Sequence, residues 1–153
     1  MPDTSPLRLE DARRALDAIA SELTTRGLAA VITVADDHGE LIALMRMDGA
    51  PLSSILIAAN KAWTAARERR PSAEVGRAAR HAETGFDIGY YGDPRYVGWG
   101  GGVPVVIGGT VVGAVAVSGA PEAADMEAAA SGVAAIVKGR EAGQAAPRAD
   151  ASR

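Results

Sequence analysis

The chain contains no cysteine, which removes disulfides, thiolate nucleophiles and cysteine-bound metals together. Histidine is nearly as scarce, with His38 and His81 as the pair, and they do not form the H-x-x-x-H or H-x-H spacing of a zinc site. No run reaches the roughly 20 apolar residues that a membrane helix needs. The opening MPDTSPLRLE has no basic segment followed by an apolar stretch, so no secretory leader is read there and a cytoplasmic setting is expected. The formal net charge of −3 argues against a nucleic-acid partner, which would call for a large basic excess. Aromatics are few as well: two Trp, three Tyr and one Phe. Of these six, Phe86, Tyr90, Tyr91, Tyr96 and Trp99 all fall within GFDIGYYGDPRYVGWGGG, residues 85–102.

What is present is small and aliphatic. Hydrophobic residues make up 48% of 153 positions, with Ala and Val dominant, enough for one domain with a core of short side chains. Leu9, Ala12, Leu16, Ile19, Ala20 and Leu23 form one helical stripe that Gly27 ends. AAVITVAD (29–36) and LIALMRM (41–47) read as strands joined by a turn at Gly39. A helix follows from about residue 52, capped by Ser53 or Ser54, with Leu52, Ile55, Leu56, Ala59, Ala62, Trp63 and Ala66 on its inward face. A shorter helix begins after Pro71. GVPVVI (102–107), the Gly108-Gly109 turn and TVVGAVAVS (110–118) give a second hairpin. The last helix carries Met126, Ala129, Ala130, Val133, Ile136 and Val137 inward. The order α-β-β-α-(α)-β-β-α predicts an α+β fold, an antiparallel sheet packed by helices. Residues 1–7 are expected to be a flexible start, 8–138 the domain, and 139–153 a disordered tail.

Three segments in order carry a resemblance. They are D-x-x-G-x-L with R-M-D-G-A (Asp36, Gly39, Leu41, then Arg46 to Ala50), N-K-A-x-T-A (Asn60 to Ala65), and G-G-x-P-V followed by G-x-V-x-G-A-x-x-V-S-G-A and D-x-E-x-A (Gly101 to Val105, Gly109 to Ala120, Asp125 to Ala129). The chain resembles the GlcG/HbpS-like family, also called the haem-degrading domain and found as the C-terminal domain of PduO-type proteins. The resemblance implies a profilin-like α+β sandwich, homo-oligomers, and haem or small-molecule binding for some members.

The candidate residues follow from type and place. His81, with Arg77 and Arg80 nearby, is a candidate haem ligand, as are the loop tyrosines. Arg67, Arg69, Arg70, Arg77 and Arg80 form a cluster that either complements a helix end or receives an anion. Lys61 is placed at the edge of a buried stripe, where an ammonium can meet a ligand anion or transfer a proton. The amides of Ser118-Gly119, ahead of Pro121 and Glu122, are candidates to receive an anion. The aromatic loop reads either as a subunit contact or as a lid over a flat ligand, with its glycines letting the backbone approach. The sequence therefore points to two functions. One is a small-ligand binder, for haem or another flat molecule, lined by Arg46, Trp63, Arg77, Phe86, Tyr90, Tyr96, Trp99, Gly101, Gly102, Asp125 and Glu127. The other is a cofactor-independent isomerase, cyclase or lyase using Lys61, His81 and Tyr91.

Overall fold

The computed structural model describes residues 1–146. Its elements are α1 (Leu9–Thr25), β1 (Val31–Asp36), β2 (Leu41–Arg46), α2 (Ser54–Glu68), α3 (Ser72–Ala79), a 3-10 turn (Ile88–Tyr91), β3 (Gly102–Ile107), β4 (Thr110–Ser118) and α4 (Glu122–Ala145). The strands form one antiparallel sheet in the order β2-β1-β4-β3, with Val31 opposite Ser118 and Asp36 opposite Gly113. The expected α+β order is therefore the observed one.

The two faces of the sheet differ in the size of their side chains. On one face Ile32, Val34, Val115 and Val117 pack under α1 and α4 against Leu16, Ile19, Leu23 and Ile136. Each large aliphatic so buried contributes roughly 1.5–3 kcal/mol. On the other face Ala35, Ala114 and Ala116 meet Ala62, Ala65 and Ala66 of α2. Alanine against alanine lets α2 lie close to the strands, and buried Thr33 fixes it by donating from Oγ1 to the Ala58 carbonyl at 2.9 Å.

That alanine contact corrects the inward face of α2. Leu52 and Leu56 point outward, 70% and 66% exposed, while Ala58, Lys61, Ala62 and Ala65 are buried; the close helix–sheet approach leaves no room for leucine. Ser53 stands at the N-cap without a side-chain bond, and Ser54 is instead buried, with its hydroxyl accepting from Ser118 Oγ at 3.3 Å. In α4 the inward residues are Ala124, Asp125, Ala128, Ala129, Gly132 and Ile136, with Met126 and Ala130 outside.

Residues near both ends of the described segment pack together. Helix α4 continues through residue 145 because Arg140 is anchored. Its guanidinium grips both oxygens of Asp11 at 3.1 and 2.8 Å, and donates to the carbonyls of Asp3, Ser5 and Pro6. Leu7 is buried, with its amide donating to the Val112 carbonyl at 2.8 Å. Asp11 also accepts the Arg8 amide at the start of α1. Burial raises the Asp11 carboxyl, but the Arg140 and Arg8 hydrogen bonds outweigh it and hold the group below the ordinary aspartate range. The rest of the tail, 147–153, lies outside the described residues.

Candidate functional site

The aromatic loop is a side-chain stack with a helix beneath it. Tyr96 rests edge-on against Trp63 of α2, with centroids 4.9 Å apart, and stacks nearly parallel on Tyr91 at 4.0 Å. Phe86 meets Tyr91 edge-on at 5.7 Å. Arg95 and Arg67 cover the Trp63 ring at 4.2 and 4.8 Å, a cation–π pair of contacts. Hydroxyls then fasten the backbone. Thr64 Oγ1 donates to the Arg95 carbonyl and accepts the Val97 amide, while Ser72 Oγ donates to the Trp99 carbonyl at 2.6 Å and accepts the Gly102 amide at 2.9 Å. A loop with so few aliphatic residues is thus held by rings and two buried hydroxyls. Two aromatics stay outside the stack: Tyr90 is 86% exposed and Trp99 59%.

Where the loop passes α3 the two backbones touch. A Cβ on Gly76 would stand 2.6 Å from the Gly98 carbonyl carbon, and one on Gly98 would stand 2.6 Å from the Gly76 Cα. No other residue type fits at either place. This crossing shapes an open cleft of about 430 Å³, lined by Gly76, Ala79, Arg80, Phe86, Asp87, Ile88, Tyr96, Val97, Gly98 and Trp99.

On the far side of Trp99 lies a smaller, polar pocket of about 250 Å³, lined by Ile57, Lys61, Trp99, Gly100, Ser118, Gly119, Ala120, Glu122 and Asp125. Lys61 and Asp125 pair there at 3.4 Å, with 3% and 4% of their side chains exposed. Lys61 Nζ also donates to the Val117 carbonyl at 3.0 Å. Asp125 Oδ1 accepts the Ala120 amide at 3.1 Å, and Glu122 Oε1 accepts the Gly100 amide at 2.7 Å. Burial lowers the Lys61 ammonium, against the raising influence of Asp125 and Glu122. Burial likewise raises the Asp125 carboxyl, against Lys61 and the amides that hold it. Gly101, at φ +127°, brings its Cα close above Lys61; a Cβ there would stand 2.9 Å from Nζ.

The sequence-predicted residues divide accordingly. Phe86, Tyr96 and Trp99 line the cleft, and Lys61, Asp125 and Trp99 line the pocket. Trp63 is buried beneath the stack rather than open to a ligand. Neither His81 nor Tyr91 lines the Lys61 pocket, so the expected trio does not converge. Exposed His81 instead has Nδ1 accepting the Glu83 and Thr84 amides at 3.2 Å, closing the turn after α3. Gly102 begins β3, and its amide serves Ser72. Glu127 is exposed and pairs with Arg26 at 3.0 Å. Arg46 borders a separate hollow with Gly27 and Met47. Arg77 is exposed and does not line the cleft; Arg80, one turn further on, does. In the turn after Ser118-Gly119 the Ala120 amide donates to the Asp125 carboxylate. His38 lies at the β1–β2 turn beside Asp36 and Asp37, close enough to group as metal ligands but away from both hollows. Glu122 went unread as a site residue, whereas Arg80 and Ser118 were read as parts of anion seats and not as walls of these hollows. Glu122, directly after Pro121, offered a signal as the first acidic residue of a helix.

A family profile described as haem degrading protein HbpS-like matches residues 7–134. The chain belongs to the HbpS-like family. Its relatives in this family include an uncharacterised 15.0 kDa protein of Citrobacter freundii, 32% identical over 74% of this chain and 80% of that one. Protein GlcG of Escherichia coli is 40% identical over 57% of this chain and 62% of its own length. The corrinoid adenosyltransferase PduO of Salmonella typhimurium is 26% identical over 88% of this chain but only 40% of its own. Among solved structures, the Klebsiella pneumoniae protein ORFY superposes with a TM-score of 0.78 at 28% identity, covering 89% of this chain and 96% of that one. A PduOC–haem complex superposes at 0.79 with 25% identity, covering 85% and 94%. No helix among the described residues of this HbpS-like chain is long and apolar enough to cross a membrane.

Proposed function

We propose that this HbpS-like protein binds a flat, largely apolar organic molecule bearing a carboxylate, held in the cleft between α3 and the aromatic loop. The observation that carries the reading is Trp99. It keeps 59% of its surface exposed at the cleft wall in a chain with six aromatics, and an indole face open beside Phe86, Ile88 and Val97 suits a stacked ring. Arg80 supplies the cation of the lining, with the fork that fits a carboxylate. A volume of about 430 Å³ falls in the range of small-ligand sites, and the Thr64 and Ser72 anchors keep the cleft preformed.

Haem has the right flatness and carries carboxylates, and a solved PduO domain holds it. The cleft lining supports recognition of a flat ring more than ligation of an iron. Of the side chains that ligate haem iron, the cleft lining offers Tyr96. Burial raises that hydroxyl, and the neighbouring Glu68 carboxylate raises it further, so the phenolate an iron would want is disfavoured. The recognition proposed therefore rests on the ring and the carboxylate. Titration with haem, followed by the shift of its Soret absorption, tests it. Saturable binding to one site per chain is expected, weakened at least tenfold, about 1.4 kcal/mol, by Trp99→Ala and by Arg80→Ala. Binding unaffected by both substitutions would place the ligand elsewhere and end this reading.

A further inference from the structure

The pocket on the other side of Trp99 holds a group that the cleft does not use. The chain has fourteen arginines and two lysines, Lys61 and Lys138. Lys138 is exposed, whereas Lys61 is 3% exposed. An ammonium carries three N–H donors. Those of Lys61 are met by the Val117 carbonyl at 3.0 Å and the Asp125 carboxylate at 3.4 Å, and the third has no partner among the described residues. A bare tie between α2 and α4 would not need the hollow of about 250 Å³ into which Lys61, Asp125, Ser118 and Glu122 all open. Two of the wall residues there are glycines, Gly100 and Gly119, which leaves the amine approachable to a small molecule.

We infer that this pocket is a second, reactive site, in which Lys61 captures a small neutral aldehyde or ketone as an imine. Two carboxylates against one ammonium make the hollow unwelcoming to anions, so the carbonyl compound is an uncharged one. Burial lowers the Lys61 ammonium and raises the Asp125 carboxyl, which favours passage of a proton between them. These two groups carry every proton transfer. Lys61 gives one proton to Asp125, and its freed electron pair forms a C–N bond to the carbonyl carbon. The C=O π pair moves to oxygen, which takes the proton from Asp125. The nitrogen then passes a second proton to Asp125. The hydroxyl departs with that proton as water, leaving a C=N iminium cation beside the Asp125 carboxylate. The site is independent of the ring-binding cleft, from which Trp99 divides it.

The test uses the intact chain with propanal and cyanoborohydride, which reduces an iminium to a stable secondary amine, and peptide mass spectrometry to locate the adduct. Because the chain has two lysines, the exposed Lys138 is an internal reference for unassisted amine chemistry. Propyl adduct is expected on Lys61 in at least the yield found on Lys138, in spite of its burial. In Asp125→Asn, checked for native circular dichroism, the Lys61 adduct should fall severalfold while the Lys138 adduct is unchanged. Adduct confined to Lys138 in the folded wild-type protein would overturn the proposal and leave Lys61 as a structural tie. Should Asp125→Asn fail to fold, Glu122→Gln provides the second arm. With one carboxylate less at the rim, it should raise Lys61 capture of the anion glyoxylate relative to propanal; an unchanged ratio would contradict the charge account.

Discussion

The cleft beside Phe86 and the pocket over Lys61 share Trp99 as a wall, yet they are built on opposite physics. The cleft is open and mostly apolar, with one guanidinium, and every charge around it stays in contact with water. The pocket is small and polar, and its ion pair is nearly buried at the pocket floor. Area and shape govern the first, where losses are graded and tolerant of substitution. Electrostatics of a nearly buried pair govern the second, where each charge depends on its partner. Within one HbpS-like domain the two hollows therefore respond differently to the same kind of mutation.

The largest effect belongs to the pocket. Lys61→Met or Asp125→Ala strands a buried charge and should destabilise the protein by about 3–5 kcal/mol in urea unfolding. The double variant Lys61→Met with Asp125→Leu should regain most of that loss. Additive losses in the double variant would contradict a coupled pair. Next is Arg140→Ala, which releases Asp11 and three carbonyls and should cost about 3 kcal/mol near neutral pH. The folded-state value of Asp11 is depressed, so its contribution is present above the ordinary aspartate value of 3.8 and is lost as pH falls through the lower folded value. The gap between wild type and Arg140→Ala should narrow in acid below that point. Gly76→Ala forces α3 and the loop apart at Gly98; about 1–3 kcal/mol of stability should go, together with ring binding, while propanal capture at Lys61 persists. Trp99→Ala is the smallest on the stability scale, within about 0.5 kcal/mol by thermal melting, since the ring is mostly exposed.

The sequence made the element order and the sheet legible, because short β-rich apolar runs and glycine turns are local signals. It misjudged α2 because a leucine stripe, Leu52 and Leu56, is a stronger periodic pattern than the alanines that pack. Only the alanine face of β4 decides that contest, and Ala114 and Ala116 are distant in the chain. Arg140 was invisible for the same reason: its partners are Asp11 and the carbonyls of residues 3, 5 and 6, and nothing near position 140 announces them. The aromatic loop stood out by composition, but its stacking on Trp63 joins residues on separate elements. Lys61 was noticed as a charge among alanines on a helix; its pairing with Asp125 needed the fold. Gly76, unremarkable in a weak helix, is legible only beside Gly98.

Parallel titration with haem and with metal-free protoporphyrin, each read by the shift of its own Soret absorption, tests ring-and-carboxylate recognition most directly. Both are expected to saturate one site per chain with affinities within a few-fold of each other, and both to be lost in Trp99→Ala. Tight haem binding with no response to the metal-free ring would contradict the account, because the iron rather than the ring would then decide the binding.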